Sequence, residues 1–213
     1  MALGLMLGMF GGLAGVAHSE APVSPPAAVA PAASSPVPVI EAFHAGLLQI
    51  MKDARTLGFQ GRIDALEPLM AKTFDLDFMA SKTVGRHWAT LSAPDKQRWA
   101  ETFTRFTTAN YAGRFTGFTG EEFVTLGVEE AASNTRLVRT KIVVPGDEDV
   151  ELNYRVLQKD GSWRVVDVYL NGKVSELALR RSEYASALKR DGFEQLVASV
   201  ETKIADLKSK GDG

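Results

Sequence analysis

The stretch YRVLQKDGSWRVVDVYLNGKVSELALRRSEY, residues 154–184, contains two strand patterns, a tight turn and the start of a helix. KDGS at residues 159–162 predicts a hairpin turn, because Asp-Gly supplies residues that tolerate a positive φ. The flanking strands alternate apolar and polar side chains, as a sheet with one buried face requires. The residues that we assign to that face are Leu152, Tyr154 and Val156 from the first strand and Trp163, Val165, Asp167 and Tyr169 from the second.

Upstream of this hairpin, two further stretches follow the two-residue period of strands. EFVTLGVEE spans residues 122–130 and TRLVRTKIVV spans residues 135–144, and the hairpin strands extend over 149–158 and 162–170. Pro145-Gly146 marks the turn between the second and third strands. Four consecutive strands joined by short turns predict an antiparallel meander.

Helical spacing of apolar residues precedes and follows these strands. The helical segments are 39–57, 63–74, 75–84, 94–115, 175–189 and 193–208. We expect Gly58 and Gly61 to end the first segment and Pro68 to kink the second. The order of helices, sheet and helices predicts an α+β fold, in which a curved four-stranded antiparallel sheet packs against N-terminal and C-terminal helices.

The first 38 residues differ in composition from the rest of the chain. Residues 1–21 form an apolar run that ends in small residues, which is typical of a secretory signal peptide. No Lys or Arg precedes Lys52, so the segment is either a signal whose recorded start is too late or an uncleaved anchor. Residues 22–38 are rich in Pro and Ala and predict a disordered linker. We expect the folded domain over 39–208 and a disordered tail over 209–213.

The composition argues against several function classes. The chain has no cysteine, which removes disulfides, thiolate metal sites and cysteine nucleophiles. Its net charge of −2 lacks the basic excess of nucleic-acid-binding proteins. The three histidines, His18, His44 and His87, do not have the spacing of a helical metal site, and no glycine-rich phosphate loop occurs. We therefore expect no metal, no cofactor and no nucleic-acid partner.

Two residues are candidates for acid–base chemistry, and each also has a structural explanation. Asp167 lies among valines and is a candidate general base, but a lone Asp near Arg180 and Arg181 is more often an ion-pair or hydrogen-bond partner. His87 has no carboxylate or nucleophile at a catalytic spacing. Ser175 lacks the context of a nucleophile elbow and precedes a helix, so we interpret it as an N-cap.

Large apolar side chains form the main candidate site. Trp99, Phe103 and Phe106 share one stripe of the 94–115 helix, with Tyr111 beside it. Such a stripe usually fills a core, but long helices on a curved sheet also leave apolar space that takes an acyl or polycyclic chain. The predicted lining of that space is Phe78, Met79, Trp99, Phe103, Phe106, Tyr111, Val138, Ile142, Tyr154, Val156, Trp163, Val165 and Tyr169.

Residues 154–184 contain an ordered set of residues: Trp163, Arg164, Val165, Asp167, Val168, Gly172, Val174, Ser175, Arg181 and Tyr184. With this pattern the stretch resembles the MlaC-like toluene-tolerance family of periplasmic lipid carriers. FDLDFMASKTVGRHW at residues 74–88 is similar to the family's helix with a Met-Ala pair, a Gly and a Trp. SELALRRSEY at residues 175–184 looks closest to the hopanoid-associated HpnM branch. NGKVS at residues 171–175 is one residue longer than the loop of many relatives.

The resemblance covers about residues 40–207 and implies a function. It implies a periplasmic shuttle that carries a phospholipid or hopanoid between inner-membrane and outer-membrane transport complexes. It also implies an NTF2-like or cystatin-like fold that encloses the apolar tails and leaves the headgroup near solvent. Asp167, Ser175 and Arg181 would then be structural polar residues, and we expect a monomer. The alternatives are an enzyme or accessory factor in polycyclic-lipid maturation that uses Asp167 or His87, and a structural adaptor with a filled core.

Overall fold

The computed structural model describes residues 35–211, in which four α-helices and five β-strands occur. The helices are α1 (Val37–Thr73), α2 (Leu76–Thr83), α3 (Ala93–Arg114) and α4 (Glu176–Gly211), with a 3₁₀ helix at Gly85–Thr90. The strands are β1 (Glu122–Ala131), β2 (Thr135–Val143), β3 (Val150–Lys159), β4 (Ser162–Leu170) and β5 (Val174–Ser175). The predicted signal or anchor, linker residues 22–34 and tail residues 212–213 lie outside the described residues. Helix α1 starts two residues before the predicted boundary, and α4 continues through residues 209–211, which were expected to be disordered.

A glycine interrupts each of the two long helices. Gly58 in α1 has φ 62° and ψ −172°, and Gly192 in α4 has φ 83° and ψ 177°. These backbone angles are open essentially only to glycine, so each glycine joins two helical segments at a kink. Pro68, where we expected a kink, does not interrupt α1, because all residues of this helix other than Gly58 keep helical angles.

Local capping explains where α2 and α3 begin. The Asp75 carboxylate accepts a hydrogen bond from the amide of Phe78 at 3.1 Å. Ser92 caps α3 by accepting from the amide of Asp95 at 3.2 Å, and its hydroxyl donates to the Asp95 carboxylate at 2.7 Å. Each cap satisfies a backbone donor that the helix itself leaves unpaired.

The sheet is antiparallel with the strand order β1-β2-β3-β4-β5, so the prediction of four strands is wrong by one. The fifth strand pairs Ser175 with Tyr169 and Val174 with Leu170. It forms where the chain turns back at Asn171-Gly172 before α4 begins. A strand of two residues is too short to show a period, and therefore the sequence pattern does not reveal it.

Strand β4 contains a β-bulge. Val156 of β3 pairs with Val165, whereas its neighbour Arg155 pairs with Asp167, so Val166 is an extra residue that has no partner in β3. An extra residue shifts the alternation of side chains by one position.

The bulge changes which β4 residues face the helices. Val168 and Leu170 share the inner face with Val165, whereas Asp167 and Tyr169 belong to the opposite face. The predicted common face for Trp163, Val165, Asp167 and Tyr169 is therefore wrong from Asp167 onward. No residue type in SWRVVDVYL signals the position of the bulge.

An aromatic cluster fills the core between α1, α3 and the sheet. It consists of Phe43, His44, Phe74, Tyr111 and Tyr154. The Phe43 ring lies 5.2 Å from Phe74, 5.9 Å from Tyr111 and 6.2 Å from Tyr154, in each case edge to face. This arrangement is favourable for aromatic rings because the edge of one meets the electron-rich face of the next.

His44 is the polar member of this cluster. Its Nε2 atom lies 3.0 Å from the Tyr154 hydroxyl, and its ring stacks on Phe123 at 4.2 Å. Burial lowers the pKa of His44 to about 4, because the charged imidazolium is poorly solvated there. The side chain is therefore neutral at pH 7.

Candidate functional site

An apolar pocket lies between α3, the inner face of the sheet and the first turns of α4. Its volume is about 220 Å³, and it is partly open to solvent. Its lining residues are Phe74, Met79, Phe103, Phe106, Thr107, Asn110, Tyr111, Arg114, Phe115, Ile142, Val150, Leu152, Val168, Leu170, Glu176, Leu177 and Arg180. A cavity of about 150 Å³ binds benzene, whereas typical ligand pockets measure about 300–1,000 Å³. In this conformation the pocket has room for only part of a lipid.

Five residues of the predicted lining meet at this pocket. They are Met79, Phe103, Phe106, Tyr111 and Ile142. With Thr107 between Phe103 and Tyr111, steps of three and four residues place the α3 members on one helix face, which Asn110 and Arg114 extend toward solvent. Burial raises the pKa of the Tyr111 phenol, so this side chain is neutral.

Three predicted lining residues from α2, α3 and β3 do not line the pocket. Trp99 is fully buried, donates its indole N–H to the Ala80 carbonyl at 3.0 Å and meets Tyr184 edge to face at 5.1 Å. The ring of Phe78 lies under the Lys82 ammonium at 4.8 Å. Tyr154 belongs to the aromatic cluster and bonds His44.

The other five lie on the sheet outside the pocket. Val138, Val156 and Val165 are fully buried in the core. They lie on the inner face of the sheet, away from the end that carries Leu170. Trp163 is buried beneath the Arg136 guanidinium, 5.2 Å from its ring centre. Tyr169 is on the opposite face because of the bulge, where the Arg155 guanidinium lies 5.3 Å from its ring centre.

Sequence reasoning missed the aliphatic wall of the pocket. Val150, Leu152, Val168 and Leu170 supply this wall from β3 and β4. Only Leu152 carried a usable signal, because it alternates with Tyr154 and Val156 along one strand. The β4 pair was hidden by the bulge at Val166.

Charged groups occupy the edge of the pocket. Glu176 lies between two arginines, 3.7 Å from the Arg114 guanidinium and 3.8 Å from that of Arg180. The Arg180 guanidinium also lies 4.9 Å from the centre of the Phe106 ring. No local pattern predicts that Arg114 and Arg180, which are 66 positions apart in the chain, face one carboxylate.

Asp167 and Ser175 start helix α4. The buried Asp167 carboxylate accepts hydrogen bonds from the Ser175 hydroxyl at 2.7 Å, the Val168 amide at 2.8 Å and the Leu177 amide at 3.1 Å. The Ser175 hydroxyl accepts in turn from the Ala178 amide at 2.9 Å. These bonds explain the buried carboxylate without a catalytic role, and its partners are not Arg180 or Arg181.

Arg181 and His87 lie outside the pocket. The Arg181 guanidinium packs against Gly85, where an added Cβ atom would be 3.2 Å from its Nε atom. His87 lies in the 3₁₀ helix, and its amide donates to the Val84 carbonyl at 3.2 Å. Residues 35–211 contain no group of acidic or histidine side chains arranged to hold a metal. Within the same range, no helix has the length and apolar composition that crossing a membrane requires.

Comparison with known proteins identifies a family and a structural relative. A family model described as "MlaC protein" matches residues 41–202. No curated protein matches the chain. A solved structure of a phospholipid-binding protein from Ralstonia solanacearum, in complex with a phospholipid, aligns with a TM-score of 0.73 and 21% sequence identity. The alignment covers 82% of this chain and 99% of the Ralstonia chain, so the two share a fold.

Proposed function

The chain belongs to the MlaC family, and we propose that it is a carrier that holds the acyl chains of a phospholipid in the pocket between α3, the sheet and α4. Family membership and the likeness to a phospholipid-binding protein point to a binding protein rather than an enzyme. The single observation that supports this site most strongly is the aliphatic and aromatic lining of the pocket, with charged groups only at its edge.

The energetics of the pocket suit an acyl chain. Each methylene group that leaves water for such a lining contributes about 0.8 kcal/mol. A pocket of about 220 Å³ takes only part of a chain, so the proposal requires the pocket to widen as the lipid binds. The first segment of α4 supplies Glu176, Leu177 and Arg180 to the wall and ends at the Gly192 kink.

We further propose that the protein works as a monomer in the periplasm and moves its lipid between inner-membrane and outer-membrane complexes. Residues 1–21 support export through their apolar run and small C-terminal residues. Cell fractionation of the native host tests this point, since the proposal places the protein in the periplasmic extract. Recovery in the cytoplasm alone would contradict it.

Lipid content is the direct test of the carrier proposal. Protein purified from bacterial cells is extracted with organic solvent, and the extract is analysed by mass spectrometry. We expect phospholipid in stoichiometric amount, and a predominance of hopanoid would favour the alternative lipid. Protein that contains no lipid and takes none from phospholipid vesicles would contradict the carrier function.

A substitution that fills the pocket links this activity to the site. Leu170→Trp adds an indole to the half-buried aliphatic wall, so we expect lipid uptake from vesicles to fall at least about tenfold. Leu179→Trp is the matched control, because Leu179 is 53% exposed and does not line the pocket. Equal uptake by both variants, with unchanged melting temperatures, would place lipid binding elsewhere.

A further inference from the structure

We propose that Arg114 and Arg180 bind the phosphate ester of the lipid headgroup and that Glu176 takes its place when the pocket holds no phosphate. This inference rests on the proposed function and names the residues that would bind the phosphate of the same phospholipid. It identifies the polar end of the site, which the apolar lining does not define.

Glu176 makes only long contacts with the two arginines. Both guanidinium groups lie within 4 Å of the carboxylate, at 3.7 and 3.8 Å, yet charge-assisted hydrogen bonds are usually about 2.7–2.9 Å long. The Arg139–Glu129 pair on the sheet, by comparison, closes to 3.0 Å. Glu176 therefore bridges two cations loosely, and their guanidinium N–H groups can turn to the two charged oxygens of a phosphodiester.

The charges around Glu176 and Glu183 do not cancel. Arg180 pairs with Glu183 as well as Glu176, and Lys203 contacts the other oxygen of Glu183. Three cations, Arg114, Arg180 and Lys203, therefore share two carboxylates, which leaves one positive charge. A phosphodiester carries one negative charge and would balance this group.

Arg114, Glu176 and Arg180 lie next to the apolar lining of the pocket. The Arg180 guanidinium lies 4.9 Å from the centre of the Phe106 ring, and Phe106 also lines the pocket. Glu176 is also the first residue of α4, but nearby helix amides already donate to Asp167 and Ser175. The guanidinium groups are thus the available donors at the point where the apolar tails end.

Two lipids with identical tails test the inference. Delipidated protein is offered dioleoylphosphatidylglycerol or dioleoylglycerol in dodecyl maltoside micelles, and binding is measured by native mass spectrometry. We expect the double variant Arg114→Gln/Arg180→Gln to lose about tenfold or more in affinity for phosphatidylglycerol, because each arginine gives up a charge-assisted hydrogen bond. Its affinity for dioleoylglycerol should not change.

Arg105→Gln is the matched control on α3. Arg105 pairs with Glu201 away from the pocket, so its loss should leave the affinities for both lipids unchanged. Glu176→Gln removes the competing carboxylate and should tighten phosphatidylglycerol binding. If Glu176→Gln binds no more tightly than wild type, the competition between Glu176 and phosphate does not exist.

Several outcomes would overturn the inference. Equal losses for both lipids in the double variant would mean that the arginines only support the fold of the pocket, and no loss for either would mean that they do not contact the lipid. Release of bound phosphatidylglycerol by millimolar inorganic phosphate would assign the site to the free anion. Wild-type protein that binds neither lipid would contradict the carrier function itself. If the wild type binds phosphatidylglycerol but the double variant does not discriminate between the two lipids, only the phosphate site is contradicted.

Discussion

The aromatic cluster and the pocket lie side by side and share Phe74 and Tyr111, yet one is filled and the other is not. In the cluster, rings from α1, α3 and β3 meet at 5.2 to 6.2 Å. Across the pocket, α3 also presents rings, but the sheet opposes them with Leu152, Val168 and other short aliphatic side chains.

The difference shows which side chains decide where a core stays open. Both regions contain bulky helix residues, such as Phe43 in the cluster and Phe106 in the pocket. Tyr154 reaches from the sheet into the cluster, whereas Leu152, two residues earlier on the same strand, is too short to bridge the pocket. The side-chain length on the sheet, rather than the aromatic content of α3, therefore determines the empty space.

The largest expected contrast comes from removing one ring in each region. Phe43→Ala replaces a fully buried ring of the cluster by a cavity and should cost about 4 kcal/mol of unfolding free energy. Phe115→Ala removes a half-buried ring that already faces the pocket and should cost about 2 kcal/mol. Urea denaturation measures both values, and equal costs would contradict the view that only the cluster is closely packed.

A pH titration tests the polar member of the filled region. Because the pKa of His44 is about 4 in the fold and 6.5 in the unfolded chain, the unfolded chain takes up the proton first as the pH falls. Stability should therefore decrease from pH 6.5 to 4, with a His44 contribution of about 3 kcal/mol.

His44→Gln is the control for this titration, since glutamine can still contact the Tyr154 hydroxyl but does not titrate. The difference in unfolding free energy between wild type and variant should shrink or reverse at low pH. A difference that stays constant from pH 7 to 4 would show that His44 does not titrate in this range.

The two glycine kinks allow the same substitution in both regions. Gly58 lies in the helix that carries the cluster, and Gly192 lies in the helix that closes the pocket. An added Cβ would meet nothing within 4 Å at either position, so alanine imposes only backbone strain. Both alanine variants should lose about 1–3 kcal/mol in thermal or urea unfolding. A much smaller loss at Gly192 would indicate that the α4 kink relaxes more easily.

The smallest expected effect concerns the cap at the edge of the pocket. Ser175→Ala removes the acceptor for the Ala178 amide and the donor to Asp167, which should cost about 1 kcal/mol. Ser186→Ala, on the exposed surface of the same helix, should change stability by less than about 0.5 kcal/mol. Equal effects in thermal unfolding would mean that the cap does not stabilise α4.

Some of the site was predictable because local patterns carry it. The spacing of Phe103, Phe106 and Tyr111 predicts one helix face, and all three side chains line the pocket. Trp99, on the same stripe, faces Tyr184 of α4 instead. Periodicity shows which residues share a helix face, but not which element packs against that face. The packing partner decides whether a residue lines the pocket or belongs to the core.

Local sequence predicts the order of the helices and of the first four strands, the Asp-Gly hairpin and the cap at Ser175. These features depend on backbone preferences and hydrogen bonds within a few residues, so the local sequence is sufficient. The face reversal at Val166 and the meeting of Arg114 and Arg180 at Glu176 are visible in the folded chain alone. Both depend on how distant segments pair and pack, because the register of one strand on another fixes what each side chain meets.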